Sequence, residues 1–206
     1  MINKLIVFLK SPQLGFVKTR LAIDVGAERA LSIYHWLVEY TLIQAEKVDA
    51  ELHLYFNNMP ADNLNFRQRN IKLQKGDDLG DKMINALMDF KNNGLVVLIG
   101  SDCPEIIPEI IEEAYEALSR HDVVLGPAFD GGFYLIGINN IPENIFQDIE
   151  WGSSTVYETL TNNLNHLSVH KLKTLGDIDS VDDFNRFEKR YLKYIDDKSV
   201  SVETEY

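Results

Sequence analysis

The chain has 206 residues, a length that suits one domain, and 45% of them are hydrophobic, which is sufficient for a sizeable buried core. Its formal net charge of −12 argues against general nucleic-acid binding, because that binding depends on neutralising phosphates with Lys and Arg. No apolar run reaches the roughly 18–20 residues that a membrane span needs. The single cysteine, Cys103, excludes an intramolecular disulfide, so a cytoplasmic protein without membrane or nucleic-acid partners is expected.

Short apolar runs alternate with helical patterns along the chain. Runs typical of buried strands occupy residues 5–9, 52–56, 71–74, 95–99, 123–125, 133–138 and 169–172. Apolar residues recur at helical spacing over residues 27–47, 83–90, 111–118, 153–164 and 181–194. This alternation predicts an α/β fold, a three-layer α/β/α arrangement with a mixed, mostly parallel central sheet.

The predicted domain spans residues 1–195, and residues 196–206 are expected to form a frayed polar tail. In open α/β sheets, ligands bind beyond the carboxyl ends of the strands. Candidate functional residues are therefore sought in the loops that follow the predicted strands.

The loop after the first strand is rich in cations. Lys10, Lys18 and Arg20 surround Gly15 close to a predicted helix N-terminus, an arrangement that suits an anionic phosphate. The loop is not a Walker A motif, because Val17 stands where that motif needs glycine. These four residues are candidate nucleotide contacts, and a solvated basic loop is the alternative interpretation.

A second candidate site follows the predicted strand at residues 95–99. Asp102 lies at the carboxyl end of that strand, where a carboxylate can bind Mg²⁺ or Mn²⁺ together with substrate phosphate oxygens. The neighbouring Ser101 is a candidate nucleotide contact. The alternative is that Asp102 caps a helix ahead of Pro104.

A third candidate is the acidic segment near the carboxyl end. Asp177 and Asp179 point to the same side if the segment is extended, so one or both can complete a metal site begun by Asp102. The alternative is that Asp179 or Ser180 caps the last helix.

The fourth candidate is Asp130, which precedes the paired glycines Gly131 and Gly132. This carboxylate can hold an acceptor hydroxyl, accept a proton or bind metal, whereas the alternative is a hairpin turn without a function. The five histidines show no ligand spacing, so a zinc site is not expected.

Taken together, these motifs resemble a family of bacterial proteins, DUF2064-like, assigned as GT-A-type glycosyltransferases and as selenium- and radical-SAM-associated transferases. The matching stretches are residues 8–22, 74–80, 98–104, 122–137, 151–154 and 177–179. More remotely, the chain is similar to 2-phospholactate and molybdenum-cofactor guanylyltransferases.

The resemblance implies a nucleotide-diphosphosugar transferase fold, GT-A-like, and roles for particular residues. Lys18 and Arg20 would contact phosphates, Gly80 and its neighbours would lie near the base, Asp102 and Asp179 would hold Mg²⁺ or Mn²⁺, and Asp130 would lie on the acceptor side.

The function expected from these residues is metal-dependent transfer from a nucleotide or nucleotide sugar, with glycosyl transfer to an unidentified small-molecule acceptor favoured by resemblance. The alternatives are a guanylyltransferase-like nucleotidyltransferase acting on a small phosphorylated acceptor and a non-catalytic nucleotide-binding protein. Both the glycosyl-transfer and the nucleotidyl-transfer hypotheses require Arg20 and Asp102 to face one cleft.

Overall fold

A computed structural model describes residues 1–60, 70–142 and 144–203, with only the backbone described for the last five. The strands within these residues are β1 (Lys4–Leu9), β2 (Glu51–Phe56), β3 (Asn70–Leu73), β4 (Val96–Ile99), β5 (Val123–Pro127), β6 (Phe133–Ile138) and β7 (Val169–Lys171). The helices are α1 (Thr19–Val25), α2 (Ala27–Ala45), α3 (Leu79–Met88), α4 (Pro108–Leu118), α5 (Val156–Asn163), α6 (Val181–Asn185) and α7 (Glu188–Glu203).

The strands form one sheet in the order β3-β2-β1-β4-β6-β5-β7. Neighbouring strands are parallel, except that β6 runs antiparallel to both β4 and β5. The central strand β4 is buried along its whole length, as its continuous apolar sequence predicts for a strand covered on both faces. The prediction of a mixed, mostly parallel sheet is confirmed.

Helices cover both faces of the sheet. Apolar residues of α2 and α4 pack on one face, and those of α3 and α5 pack on the other. A further apolar cluster joins α1, α6 and α7 to the side of α2 that faces away from the sheet. The molecule therefore has the three layers that the sequence predicts, with extra helices outside α2.

The helices differ from the prediction at two places. Helix α1 was not predicted, because Leu21 is the only buried residue in it and one buried position gives no apolar periodicity. The single helix predicted over 181–194 is two helices, and α7 continues to Glu203 through most of the expected polar tail. Residues 204–206 of that tail lie outside the described residues, and the domain boundary at 195 stays a prediction.

Among the described helices, none combines the length and apolar character required to cross a bilayer.

Candidate functional site

A pocket of about 480 Å³ opens at the edge of the sheet where the parallel strands end. Lys10 follows β1 and Asn57 follows β2, while Gln74 follows β3 and Ser101 and Asp102 follow β4; all five line the pocket. Asp130, between β5 and β6, also lines it. The site lies where open α/β sheets bind ligands, and its volume is in the range of small-molecule sites.

Lys18 connects three distant segments beside this pocket. Its ammonium donates a hydrogen bond to the Ile178 carbonyl oxygen at 2.6 Å and lies 2.7 Å from Asp102 Oδ1 and 3.2 Å from Asp179 Oδ1. Its side chain is only 4% exposed, and its backbone adopts the left-handed conformation at the start of α1. The opening loop, the end of β4 and the segment before α6 therefore meet at one point.

The electrostatic balance at this point keeps Lys18 charged. Burial by itself lowers the pKa of Lys18, but the carboxylates of Asp102 and Asp179 outweigh that effect and hold it above its usual value. Asp102 Oδ1 is buried and, apart from the ion pair with Lys18, has no hydrogen-bond partner among the described residues.

Arg20 reaches the same cluster from the solvent side. Its Nη1 lies 3.9 Å from Asp179 Oδ2, and its side chain is 73% exposed. Arg20 and Asp102 thus belong to one connected group of charges, but of these two residues only Asp102 lines the pocket. Lys18 and Arg20 differ in availability, because only the arginine side chain is open to an incoming anion.

Carboxylates crowd the remaining part of the site. Burial raises the pKa of Asp177 to about 7, and the charges of Asp130, Asp179 and Asp102 contribute in the same direction. No ion pair joins Asp177 to a described cation, so Asp179 is the acidic residue that shares a cation with Asp102. Within the described residues, no three or more His, Cys, Asp or Glu side chains form a metal-binding group.

The turn that carries Asp130 has a defined local structure. Asp130 Oδ1 accepts a hydrogen bond from the Gly132 backbone N–H at 2.8 Å. Gly131 has φ of 89°, and a Cβ there would lie 2.0 Å from the Ser154 carbonyl oxygen, so only glycine fits. The predicted hairpin turn is present, and it also places Asp130 at the pocket.

Four of the predicted nucleotide contacts do not line the pocket: Gly15, Lys18, Arg20 and Gly80. Gly15 is exposed in the opening loop with φ of 79° and open space around it. Gly80 is buried in the first turn of α3, where a Cβ would lie 3.1 Å from the Trp151 ring. Gly80 therefore packs close to Trp151, which does line the pocket.

Helix capping, the alternative role for both acidic segments, is found in only one of them. Asp102 does not cap a helix, because α4 begins at Pro108 with Ile107 as its N-cap residue. Ser180 does cap α6 and forms a capping box with Asp183. Asp179 is thereby left to pair with Lys18 and Arg20.

Several pocket residues were not among the candidate site residues that the sequence indicated. Tyr34 lies in the apolar pattern of α2, yet it lines the pocket. Its hydroxyl accepts a hydrogen bond from the Lys10 backbone N–H and donates one to the Lys10 carbonyl oxygen. Gln74 donates both amide hydrogen bonds to the carbonyl oxygens of Leu9 and Tyr55. Only the tertiary contacts identify such residues, because their spacing resembles that of ordinary core or loop residues.

A sheet with one reversed strand, helices on both faces and a pocket at the carboxyl ends of its parallel strands defines the nucleotide-diphospho-sugar transferase-like fold. The family model for an uncharacterized protein conserved in bacteria, DUF2064, matches residues 41–153, which is more than half of the chain. The protein belongs to this family, as its motifs indicated. No curated protein matches the chain.

Solved structures share the fold at different levels of similarity. A Desulfovibrio desulfuricans G20 protein, provisionally assigned as a nucleotide-diphospho-sugar transferase, is 34% identical with a TM-score of 0.82, covering 89% of this chain and 84% of that one. CMP:2-keto-3-deoxy-manno-octonic acid synthetase, solved with CTP, is 10% identical with a TM-score of 0.55, covering 96% and 100%. A Mycobacterium tuberculosis H37Rv protein solved with manganese is 16% identical with a TM-score of 0.50, covering 90% and 97%.

Proposed function

We propose that this protein is a metal-dependent transferase that binds a nucleotide sugar in the pocket and transfers its glycosyl group to a small-molecule acceptor. The observation that carries the proposal is the convergence of Lys18 and Arg20 with Asp102 and Asp179 beside a pocket at the carboxyl ends of the strands. Cations and paired carboxylates are together what a metal-bound polyphosphate requires.

The residues present fit a divalent cation. The Lys18 ammonium already contacts one oxygen each of Asp102 and Asp179, so both carboxylates are directed at a shared cationic point. Both side chains are also 40% or more exposed, which leaves part of each accessible to an incoming ion. When bound there by Asp102 and Asp179, Mg²⁺ or Mn²⁺ supplies positive charge that offsets the negative charge of the phosphates.

The remaining residues bind and orient the reactants. Lys10 and Arg20 are exposed cations that contact phosphate oxygens, and Lys18 holds the two carboxylates in place. One oxygen of Asp130 accepts a hydrogen bond from the Gly132 N–H, and the other accepts the proton of the acceptor hydroxyl. Ser101 and the aromatic residue Trp151 complete the pocket walls around the donor.

Glycosyl transfer is favoured over nucleotidyl transfer by the relative at 34% identity, which is provisionally assigned as a nucleotide-diphospho-sugar transferase. The two reactions release different products from the donor. Glycosyl transfer from a nucleoside diphosphate sugar releases the nucleoside diphosphate, whereas nucleotidyl transfer from a nucleoside triphosphate releases pyrophosphate. Product analysis therefore distinguishes them once a donor is known.

The proposal is tested with a thermal-shift panel of nucleotides and nucleotide sugars, with and without Mn²⁺ or Mg²⁺. A donor at about 100 times its dissociation constant stabilises the folded protein by roughly 2.7 kcal/mol. We expect a shift that requires the metal and disappears in Asp102→Asn and Arg20→Ala. Asp49→Asn and Arg120→Ala, which change exposed residues away from the pocket, are the matched controls and should keep the shift.

A shift that is independent of metal, or that persists in Asp102→Asn, would remove the proposed role of this carboxylate. Binding of a nucleotide sugar without turnover of any acceptor would instead favour a non-catalytic nucleotide-binding protein.

A further inference from the structure

The cation that contacts both proposed metal ligands is part of the chain itself. Lys18 Nζ lies 2.7 Å from Asp102 Oδ1 and 3.2 Å from Asp179 Oδ1. These two carboxylates with one ammonium carry a net charge of −1, whereas the carboxylates alone would carry −2. A divalent cation approaching the pair therefore meets only part of the attraction that two free carboxylates would offer.

Lys18 is held in this position by more than the carboxylates. A third oxygen, the Ile178 carbonyl, accepts a hydrogen bond from the ammonium at 2.6 Å, and the lysine side chain is 4% exposed. Moving the ammonium away would leave a buried carbonyl and the buried Asp102 Oδ1 without this partner. Arg20 contrasts with this arrangement, because it is exposed and 3.9 Å from Asp179 Oδ2 and can turn towards a ligand.

We propose that Lys18 is an internal counter-cation that makes binding of a divalent cation at Asp102 and Asp179 conditional on the nucleotide. The inference rests on the proposed function of this pocket. In the nucleotide-free protein, the ammonium satisfies the carboxylate pair and divalent-cation affinity is low. A nucleotide contributes phosphate oxygens and negative charge, which supply the ligands and attraction that the half-neutralised pair lacks.

The experiment measures Mn²⁺ binding to the nucleotide-free protein by electron paramagnetic resonance of free Mn²⁺. Lys18→Gln removes the charge but retains an amide that can donate to the Ile178 carbonyl oxygen. We expect Lys18→Gln to bind Mn²⁺ about tenfold more tightly than the wild type without nucleotide. By linkage, the increase in Mn²⁺ affinity that nucleotide produces should shrink in the variant.

Two controls assign the effect to this site. Lys72→Gln removes an ammonium that pairs with Asp89 and does not line the pocket, and should leave Mn²⁺ affinity unchanged. Asp102→Asn introduced into the Lys18→Gln protein should abolish the gained affinity.

Thermal unfolding first establishes that each variant is folded, and Lys18→Met replaces Lys18→Gln if the glutamine does not fold. A folded charge-removing variant that binds Mn²⁺ no more tightly than the wild type overturns the inference. That result leaves the proposed function intact if wild-type protein still shows a metal-dependent nucleotide shift. Absence of that shift in the wild type would count against the function itself.

Discussion

At the residue scale, two cations of the opening segment differ in their exposure to solvent. Lys18 is buried among three oxygen atoms, whereas Arg20 is 73% exposed and touches the cluster only through Asp179. The sequence suggested one phosphate-binding role for both residues. The contacts instead support a division in which Lys18 organises the carboxylates and Arg20 remains available to the ligand, and direct phosphate contact by either residue stays a prediction.

His53, which does not line the pocket, is a second residue whose charge depends on its surroundings. The ring is buried, its centroid lies 4.4 Å from that of the Phe90 ring, and its Nε2 lies 3.1 Å from Glu51 Oε1. Burial lowers the pKa of His53; Lys72 and Lys4 act in the same direction, and the Glu51 carboxylate opposes the change without cancelling it.

This lowered pKa predicts a pH-dependent stability. As pH falls below about 6.5, the ordinary histidine value, the unfolded chain binds a proton at His53 before the folded chain does. His53 therefore contributes a decrease in the free energy of unfolding on acidification, whereas Asp177, with its pKa raised to about 7, contributes in the opposite direction. Urea unfolding at pH 7.5 and pH 5 gives the change in the free energy of unfolding on acidification. This change should be less unfavourable for His53→Leu than for the wild type, whereas His166→Leu, which alters an exposed histidine, should change as the wild type does. Equal changes in His53→Leu and wild type would contradict this prediction.

At the scale of elements, the β5–β6 hairpin and α5 depend on each other. Gly131 lies in the turn, its carbonyl oxygen accepts a hydrogen bond from the Tyr157 N–H at 2.8 Å, and the Ser154 backbone fills the space where a side chain would lie. The turn thus places Asp130 at the pocket and anchors the start of α5 at the same time. The sequence indicated Gly131 only as part of a turn, but packing against the Ser154 backbone also requires glycine at this position.

Gly131→Ala should consequently destabilise the protein by about 3 kcal/mol or more, because left-handed strain of about 1–2 kcal/mol adds to the clash. Gly15→Ala is the matched control, since Gly15 also has a positive φ, 79°, but a Cβ added there would meet nothing within 4 Å. It should cost about 1 kcal/mol. Urea unfolding measures both variants, and equal effects would show that the contact with Ser154 does not matter.

On the scale of the whole molecule, the site joins parts of the chain that are far apart in sequence. The Lys18 ammonium and the Ile178 carbonyl oxygen are separated by 160 positions, and the end of β4 contributes Asp102 between them. The Ile178 N–H also donates to the Asp102 carbonyl oxygen at 3.1 Å, so the backbone reinforces the side-chain contacts. Ordering any one of these segments should therefore order the others.

A nucleotide bound with Mn²⁺ should slow amide hydrogen exchange in all three segments together, around Lys18, Asp102 and Ile178. The reason is that local opening of one segment breaks contacts shared with the other two. Hydrogen-exchange mass spectrometry measures this, with strand β7 as an internal reference that lies at the sheet edge. Protection restricted to the opening loop would contradict a shared site.

Much of the architecture could be predicted because it follows from local patterns. The buried run that became β4 and the position of Asp102 directly after it required only the apolar pattern and the rule that ligands lie beyond strand ends. Helix α1 could not be predicted, because Leu21 is its only buried residue. The extent of α7 was also missed, because a mostly polar helix lacks the apolar periodicity that identifies one.

The sequence alone determined the strands, most of the helices, the α/β class and the family, since burial periodicity and motif order are properties of neighbouring residues. Tertiary structure alone decided that Lys18 is enclosed by Asp102, Asp179 and the Ile178 carbonyl oxygen, and that Asp177, crowded by burial and other carboxylates, has a raised pKa. The physical reason is that desolvation and Coulomb interactions depend on distances in space, and residues 160 positions apart acquire such distances only when the sheet is assembled.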